Sequence, residues 1–132
     1  IKKNLMIKKK NLGIIIEART NSKRFKNKII KKIYKNISVL EYILIKLQSQ
    51  KIIKKIIVAT TKKKNDNIIC KICEKRKINI FRGSEKNLIK RISDAAKHYK
   101  IDHIIQLTSD NPFIDLKILK DLVKIYLTGK YD

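Results

Sequence analysis

Short apolar runs alternate along this chain with longer stretches in which apolar residues recur every third or fourth position. The first run, Leu12–Glu17, is a continuous apolar run, as in a strand covered on both faces. Similar runs at Lys55–Thr60, Ile78–Phe81 and His103–Leu107 predict three more strands. Helical patterns fill the intervals. Ser38 and Glu41 form an S-x-x-E capping box, after which Val39, Leu40, Ile43, Leu44 and Leu47 recur at helical spacing. A second helix is predicted from about Asn65 to Arg76, with Ile68, Ile69, Ile72 and Cys73 on one face. A third runs from Ser84 to about Tyr99 and would bury Leu88, Ile89, Ile92, Ala95, Ala96 and Tyr99. A fourth follows Asp115, an expected N-cap, with Leu119, Leu122, Val123 and Tyr126 inside.

The order β-α-β-α-β-α-β-α predicts a Rossmann-like α/β fold: a mostly parallel sheet, right-handed crossovers and helices on both faces. No repeat, linker or boundary interrupts it, so residues 1–132 read as one α/β domain. Segment 1–11 has no pattern and is expected to be disordered, with Met6 a candidate start.

Composition narrows the class. A chain of 132 residues with 43% hydrophobic content can bury a core without disulfides or metal. Its apolar runs are too short to span a bilayer, and no apolar h-region precedes Glu17 and Arg19, so neither membrane anchor nor signal peptide is expected. Two cysteines imply no disulfide framework, and a reducing cytoplasm is the expected location. The net charge of +23 invites a nucleic-acid partner, since Lys and Arg neutralise phosphates. Yet the lysines are scattered through every segment together with Ile and Asn, as an AT-rich coding sequence supplies. A true footprint should be localised. Nucleic acid is therefore the disfavoured partner.

Ligands of open parallel sheets bind beyond the carboxyl ends of the strands, where strand order reverses. That rule selects Ala18–Lys28, Thr60–Thr61, Arg82–Glu85 and Thr108–Asp115. Arg19, Arg24 and Arg82 lie in these segments, where a planar guanidinium can hold phosphate oxygens bidentately. The loop Ala18-Arg19-Thr20-Asn21-Ser22-Lys23-Arg24-Phe25-Lys26-Asn27-Lys28 gathers positive side chains and hydroxyls with no acid, which suits a polyphosphate, although it contains no G-x-x-x-x-G-K-[ST]. A solvated basic loop would read the same way. Asp110, directly after a strand, is a candidate Mg²⁺ ligand, because such a metal binds one or two carboxylates plus substrate phosphates. The alternative for Asp110 is a role in shaping the Asn111-Pro112 turn.

Ile14-Ile15-Ile16-Glu17-Ala18-Arg19 with Ser22, Arg24 and Lys28 resembles the N-terminal signature I-I-x-A-R-x-x-S-x-R-L-P-G-K of the cytidylyltransferase family. That family contains acylneuraminate and 3-deoxy-manno-octulosonate cytidylyltransferases, and the likeness is strongest to its spore-coat polysaccharide branch. It continues through Leu40-Glu41-Tyr42, Ile57-Val58-Ala59-Thr60 and Phe81-Arg82-Gly83-Ser84-Glu85. It ends at Leu107-Thr108-Ser109-Asp110-Asn111-Pro112-Phe113-Ile114-Asp115, similar to T-G-D-x-P-L-I-D. The resemblance implies a sheet of the nucleotide-diphospho-sugar transferase type. It also implies CTP plus a sugar, often acidic, giving a CMP-sugar and pyrophosphate under Mg²⁺ in surface-polysaccharide synthesis. By position, Arg19 and Lys28 would hold the triphosphate with Ser22 and Arg24 supporting the loop. Ala18 would admit the backbone close to cytosine, Thr60 and Arg82 would line the nucleotide pocket, and Asp110 would ligand the metal.

Two departures stand out. Phe25-Lys26-Asn27-Lys28 replaces L-P-G-K, so the turn presenting the lysine loses both Pro and Gly, and Ser109 replaces the glycine before the aspartate. Family members are also much longer. Their further part carries much of the sugar site, another metal carboxylate and the arm through which a homodimer would form. A truncated, catalytically inactive remnant and a basic nucleic-acid-binding protein are the rival readings. Other signals are set aside. Cys70 and Cys73 form a lone C-x-x-C inside a helix, where zinc needs about four ligands and a redox pair normally opens the helix. His98, His103 and the five tyrosines match no metal, base or stacking motif.

Overall fold

A computed structural model describes residues 11–23 and 25–130. Segment 1–10, including Met6, and Arg24 lie outside the described residues. The Asn11 side chain donates to the Asp102 carboxylate, and its carbonyl accepts from the Asp102 amide at 3.0 Å.

Four parallel strands form the main sheet: β1 (Leu12–Glu17), β4 (Lys55–Thr61), β5 (Asn79–Gly83) and β6 (His103–Thr108). A short antiparallel hairpin of β2 (Lys32–Tyr34) and β3 (Ile37–Ser38) stands apart. The sheet order is β5-β4-β1-β6. The chain therefore steps outward from β1 to β4 to β5, then crosses to the far side of β1. Four helices connect and follow the strands: α1 (Val39–Ser49), α2 (Asn67–Arg76), α3 (Leu88–His98) and α4 (Leu116–Leu127).

The side-chain alternation of β1 sorts the core into two layers. Ile14, Ile16 and Val58 pack with Leu40, Leu44 and Leu47 of α1, Ile69 of α2, and Leu119 and Val123 of α4. Ile15, Ile57 and Ala59 pack on the opposite face with Ile92, Ala95 and Ala96 of α3. The parallel, doubly covered α/β sheet expected from the pattern is the fold observed.

The helix starts show how local chemistry sets the boundaries. Ser38 Oγ accepts the Glu41 amide at 3.2 Å, so half of the capping box forms. The Glu41 carboxylate does not return to Ser38; it binds Lys75 and Arg76 of α2 instead. Asp115 caps α4 through the amides of Lys117 and Ile118. Helix α3 begins later than expected, because Asn87 is its cap and Ser84 Oγ accepts the Asn87 amide in a preceding turn. Leu88 and Ile89 thus sit in its exposed first turn, contrary to the expected inward stripe. Ile68 and Leu122 are likewise exposed rather than buried, each lying one position off the stripe that faces the sheet.

Candidate functional site

Parallel pairing of β1 with β6 extends to Glu17 and Thr108, so their carboxyl ends open side by side where the strand order reverses. A cleft of about 410 Å³ lies there, within the roughly 300–1,000 Å³ usual for small-molecule sites. Ala18, Arg19, Ser22 and Lys28 from the loop after β1 face Asp110 from the loop after β6 across it.

The basic loop is built around Thr20, which is 2% exposed. Its amide and its hydroxyl each donate to Asp66 Oδ1 at 2.8 Å, while the Thr61 hydroxyl donates to the other carboxylate oxygen. The Thr20 carbonyl in turn accepts the amides of Ser22 at 3.1 Å and Asn27 at 2.9 Å. One buried residue therefore pins the loop, leaving Arg19 and Ser22 on the cleft wall. Asn27 adopts φ 61°, in the left-handed region. Asn is the non-glycine residue that tolerates this conformation best. The tight turn expected to be lost with Pro and Gly is thus kept by Asn27. It opens a 3₁₀ turn, Lys28–Ile30, whose Ile29 is buried in the core and fixes where Lys28 projects.

Lys28 Nζ donates to Asp110 Oδ2 at 2.5 Å, joining loops that are 82 positions apart in the chain. The Lys28 hydrogen bond, followed by one from Thr108, holds the Asp110 carboxyl below the usual carboxylate range. With side chains 35% and 41% exposed, the pair adds little to stability. Its importance is the placement of a cation and an anion at the mouth of one cleft.

Three further groups belong to this wall. Glu17 accepts from Gln106 Nε2 at 3.2 Å, and Glu85 pairs with Lys63 at 2.5 Å. Arg91 of α3 is 3% exposed, and its Nη1 donates to the Ser84 carbonyl at 2.7 Å. Its Nε is buried with no partner among the described residues. Burial lowers the Arg91 pKa, opposed by the nearby Glu17 carboxylate. Arg91 lies four residues before Ala95, a spacing that places it on the inward stripe of α3.

Two expected pocket residues are not brought to the cleft. Thr60 is fully buried within the sheet, and its hydroxyl has no partner among the described residues. Arg82 commits its guanidinium to the Thr61 carbonyl at 2.8 Å, the Lys63 carbonyl at 2.7 Å and Asn67 Oδ1 at 2.7 Å, bracing the loop after β4. Arg24 lies outside the described residues.

The described residues hold no group of three or more His, Cys, Asp or Glu able to cage a metal. Asp110 supplies a single carboxylate, the donor set of a hard cation that completes its shell with phosphate and water. Burial pushes the Cys73 thiol up to about 12, the opposite of redox or metal poise. His103 Nδ1 lies 2.8 Å from the Tyr126 hydroxyl, and His98 packs against Phe81 and Tyr99, so both histidines are engaged away from the cleft. Among the described residues, no helix is long and apolar enough to cross a membrane.

Residues 13–132 match the family model described as cytidylyltransferase. An uncharacterised protein of Methanocaldococcus jannaschii is 42% identical over 118 residues, 89% of this chain and 48% of that protein. A spore coat polysaccharide biosynthesis protein of Bacillus subtilis is 29% identical over 116 residues, 85% of this chain and 48% of its own. Among solved structures, a cytidylyltransferase from Leptospira borgpetersenii superposes with a TM-score of 0.86 at 38% identity, covering 91% of this chain and 50% of that one. The CTP complex of CMP:2-keto-3-deoxy-manno-octonic acid synthetase shares the fold, with a TM-score of 0.71 at 17% identity over 86% of this chain and 46% of that one. The chain spans about half the length of the curated relatives it matches.

Proposed function

The chain belongs to the cytidylyltransferase family, and from that premise we propose that its cleft binds CTP with Mg²⁺ for transfer of the cytidylyl group to a sugar. The observation that carries this reading is the meeting of Lys28 and Asp110 across the β1/β6 crevice, with Arg19 and Ser22 on the same wall. Arg19 and Lys28 are the cations that neutralise the triphosphate, and the Ser22 hydroxyl donates to it. Ala18, with only a methyl group, lets the base approach the backbone. Asp110 would hold Mg²⁺, which when bound supplies charge neutralisation at the phosphates. A sugar hydroxyl then attacks the α-phosphorus in line, the bond to pyrophosphate breaks, and a CMP-sugar forms. The Bacillus relative's name supports a setting in surface-polysaccharide synthesis; an acidic sugar and a cytoplasmic setting complete the proposal. Thr60 and Arg82 stand in this proposal as supports of the sheet and of the loop after β4 rather than as ligands, and Arg24 keeps the loop-supporting role that the resemblance implies.

In the free protein Lys28 and Asp110 neutralise one another, so loading CTP·Mg²⁺ must divide the pair between phosphate and metal. Lys28→Ala should therefore weaken CTP binding with or without Mg²⁺, by roughly tenfold or more, equivalent to about 1.4 kcal/mol. Asp110→Asn should abolish the Mg²⁺ dependence while leaving metal-free triphosphate binding unchanged or tighter. Calorimetric titration with CTP, with and without Mg²⁺, distinguishes these outcomes; equal losses in both variants would defeat the assignment. Pyrophosphate release with a panel of acidic sugars then tests turnover.

A further inference from the structure

The hairpin β2–β3 hangs between two fixed points. Ile29 before it and Ser38 after it are buried, and the Val39 amide closes its base on the Lys31 carbonyl at 3.1 Å. Between these points every residue from Lys31 to Asn36 is exposed. Exposed apolar groups rimmed by polar ones mark interaction surfaces, and this ribbon carries them: Ile33 is 49% exposed and Tyr34 62%. Phe25 of the β1 loop, 50% exposed, joins them through Lys31, whose Nζ lies 4.4 Å from the centre of its ring. Lys35 Nζ lies 5.2 Å from the Tyr34 ring in the same way. Among the described residues, Lys31, Lys32 and Lys35 form no ion pair with a carboxylate. No acid occurs from Ala18 to Leu40, but the same is true of Tyr42–Asn65, where most apolar side chains are buried in the core. Charge alone is therefore not the signal. The signal is the coincidence, on one projecting ribbon, of unpaired cations with exposed apolar side chains.

We propose that the β2–β3 hairpin, with Phe25 beside it, adsorbs the protein to an anionic lipid bilayer. Ile33, Tyr34 and Phe25 enter the boundary between headgroups and acyl chains, while Lys31, Lys32 and Lys35 swing from the rings to anionic headgroups. Basic side chains at such a surface each add to the attraction, and apolar side chains supply the part that salt does not screen. Adsorption of this kind lies on the membrane surface and needs no spanning helix. A second copy of this chain is excluded as the occupant by its own charge of +23. Nucleic acid is the poorer fit. Bases stack on open aromatic faces, but here Lys31 and Lys35 already lie over the two rings, and Ile33 offers nothing to a phosphodiester chain. The inference rests on the exposure and charge of the hairpin, and stands or falls independently of nucleotide binding.

The test mixes the whole 132-residue chain with three probes: vesicles of phosphatidylglycerol and phosphatidylcholine in equal parts, vesicles of phosphatidylcholine alone, and random-sequence DNA. Sedimentation should show binding to the anionic vesicles, weakened by salt, and none to phosphatidylcholine alone. Lys31→Gln combined with Lys32→Gln should lower vesicle affinity roughly thirtyfold, or about fivefold to sixfold for each lysine. Ile33→Ser combined with Tyr34→Ser should lower it about tenfold or more while leaving DNA binding unchanged. The chain contains no Trp, so Tyr34→Trp reports on depth. Its emission should shift to the blue and be shielded from acrylamide on anionic vesicles, whereas that of Lys51→Trp, past the other end of α1, should not change. All these positions are exposed, so each variant should keep the circular dichroism of the parent. No binding to anionic vesicles, equal binding to uncharged ones, or unchanged vesicle affinity after loss of Ile33 and Tyr34 would overturn the proposal. DNA binding lost in that same double variant would assign the hairpin to nucleic acid instead.

Discussion

Asp66 occupies the N-cap position of α2, yet its side chain caps none of that helix's amides. The carboxylate is spent on Thr20 and Thr61 instead. A negative charge beside a loop meant for phosphate is electrostatically unhelpful, so its benefit must be geometric: it sets Thr20, and with it Arg19 and Ser22. Asp66→Ala would leave the buried Thr20 amide unpaired and cost about 1–3 kcal/mol. It should also weaken CTP binding more than CMP binding, because the loop that meets the outer phosphates loses its anchor. Asp66→Asn keeps an acceptor for Thr20 and should restore most of both. Melting temperature and the CTP-to-CMP affinity ratio are the readouts; a ratio unchanged in Asp66→Ala would reduce Asp66 to a purely structural tie. Nothing in the sequence marked this residue beyond its position just after a strand's carboxyl end, for the pairing spans 46 residues and depends on a fold not yet formed.

Between elements, the tie from α1 to α2 runs through Glu41. Burial alone would raise its pKa, but hydrogen bonds and charge from Lys75 and Arg76 outweigh that and hold the carboxyl below its ordinary value. A carboxylate lowered on folding stabilises fully above its ordinary pKa, about 4.3, and loses that contribution as pH falls through the folded value. Wild type should thus lose stability more steeply than Glu41→Gln as pH falls from about 5 to below 4. At neutral pH the variant should be weaker by about 1–2 kcal/mol, less than for a fully buried pair, since Lys75 and Arg76 remain partly exposed and can rehydrate. Parallel pH–denaturation curves would refute the tie. Helix ends make a second case. With three glycines in the chain, Lys77 and Lys100 take the left-handed position after α2 and α3 at φ 54° and 53°. The amides of Ile78 and Ile101 reach back to Cys73 and Ala96, the bonds of a C-terminal capping motif that normally uses glycine. Lys77→Gly or Lys100→Gly should each stabilise by roughly 0.5–1 kcal/mol, raising Tm by about 2–5 °C. The hairpin β2–β3 escaped sequence reading for the same reason: Lys35-Asn36 takes positive φ at both turn positions without the usual Asn-Gly. Strands and helix cores were legible because burial imposes a period. The fate of Ile68 and Leu122 was not, since each lies beside a true stripe position, and Leu88 and Ile89 keep the stripe's spacing but fall in the exposed first turn of a helix that starts late.

At the scale of the molecule, the charge of +23 and the polyphosphate reading make separable demands. Diffuse self-repulsion acts over a Debye length, about 30 Å at 0.01 M salt and about 3 Å at 1 M, and favours the expanded chain. Adding NaCl over that range should therefore raise Tm progressively, alike in wild type and Lys28→Ala, because one lysine among 34 basic residues hardly changes the total. A localised site behaves differently. Tripolyphosphate at constant ionic strength should stabilise wild type by RT ln(1 + [L]/Kd), about 2.7 kcal/mol at a hundred times Kd, and Lys28→Ala much less. Random-sequence DNA would bind through the diffuse charge, collapse steeply with salt, and ignore the Lys28 substitution. If tripolyphosphate stabilised both proteins equally, the cations of the β1 loop would be no more than part of the general surface. The Lys28–Asp110 pair would then lose its place as the centre of the site. If only wild type responded, the scattered lysines would be background against which Asn27, Ile29 and Asp66 have set one lysine and one arginine in working position.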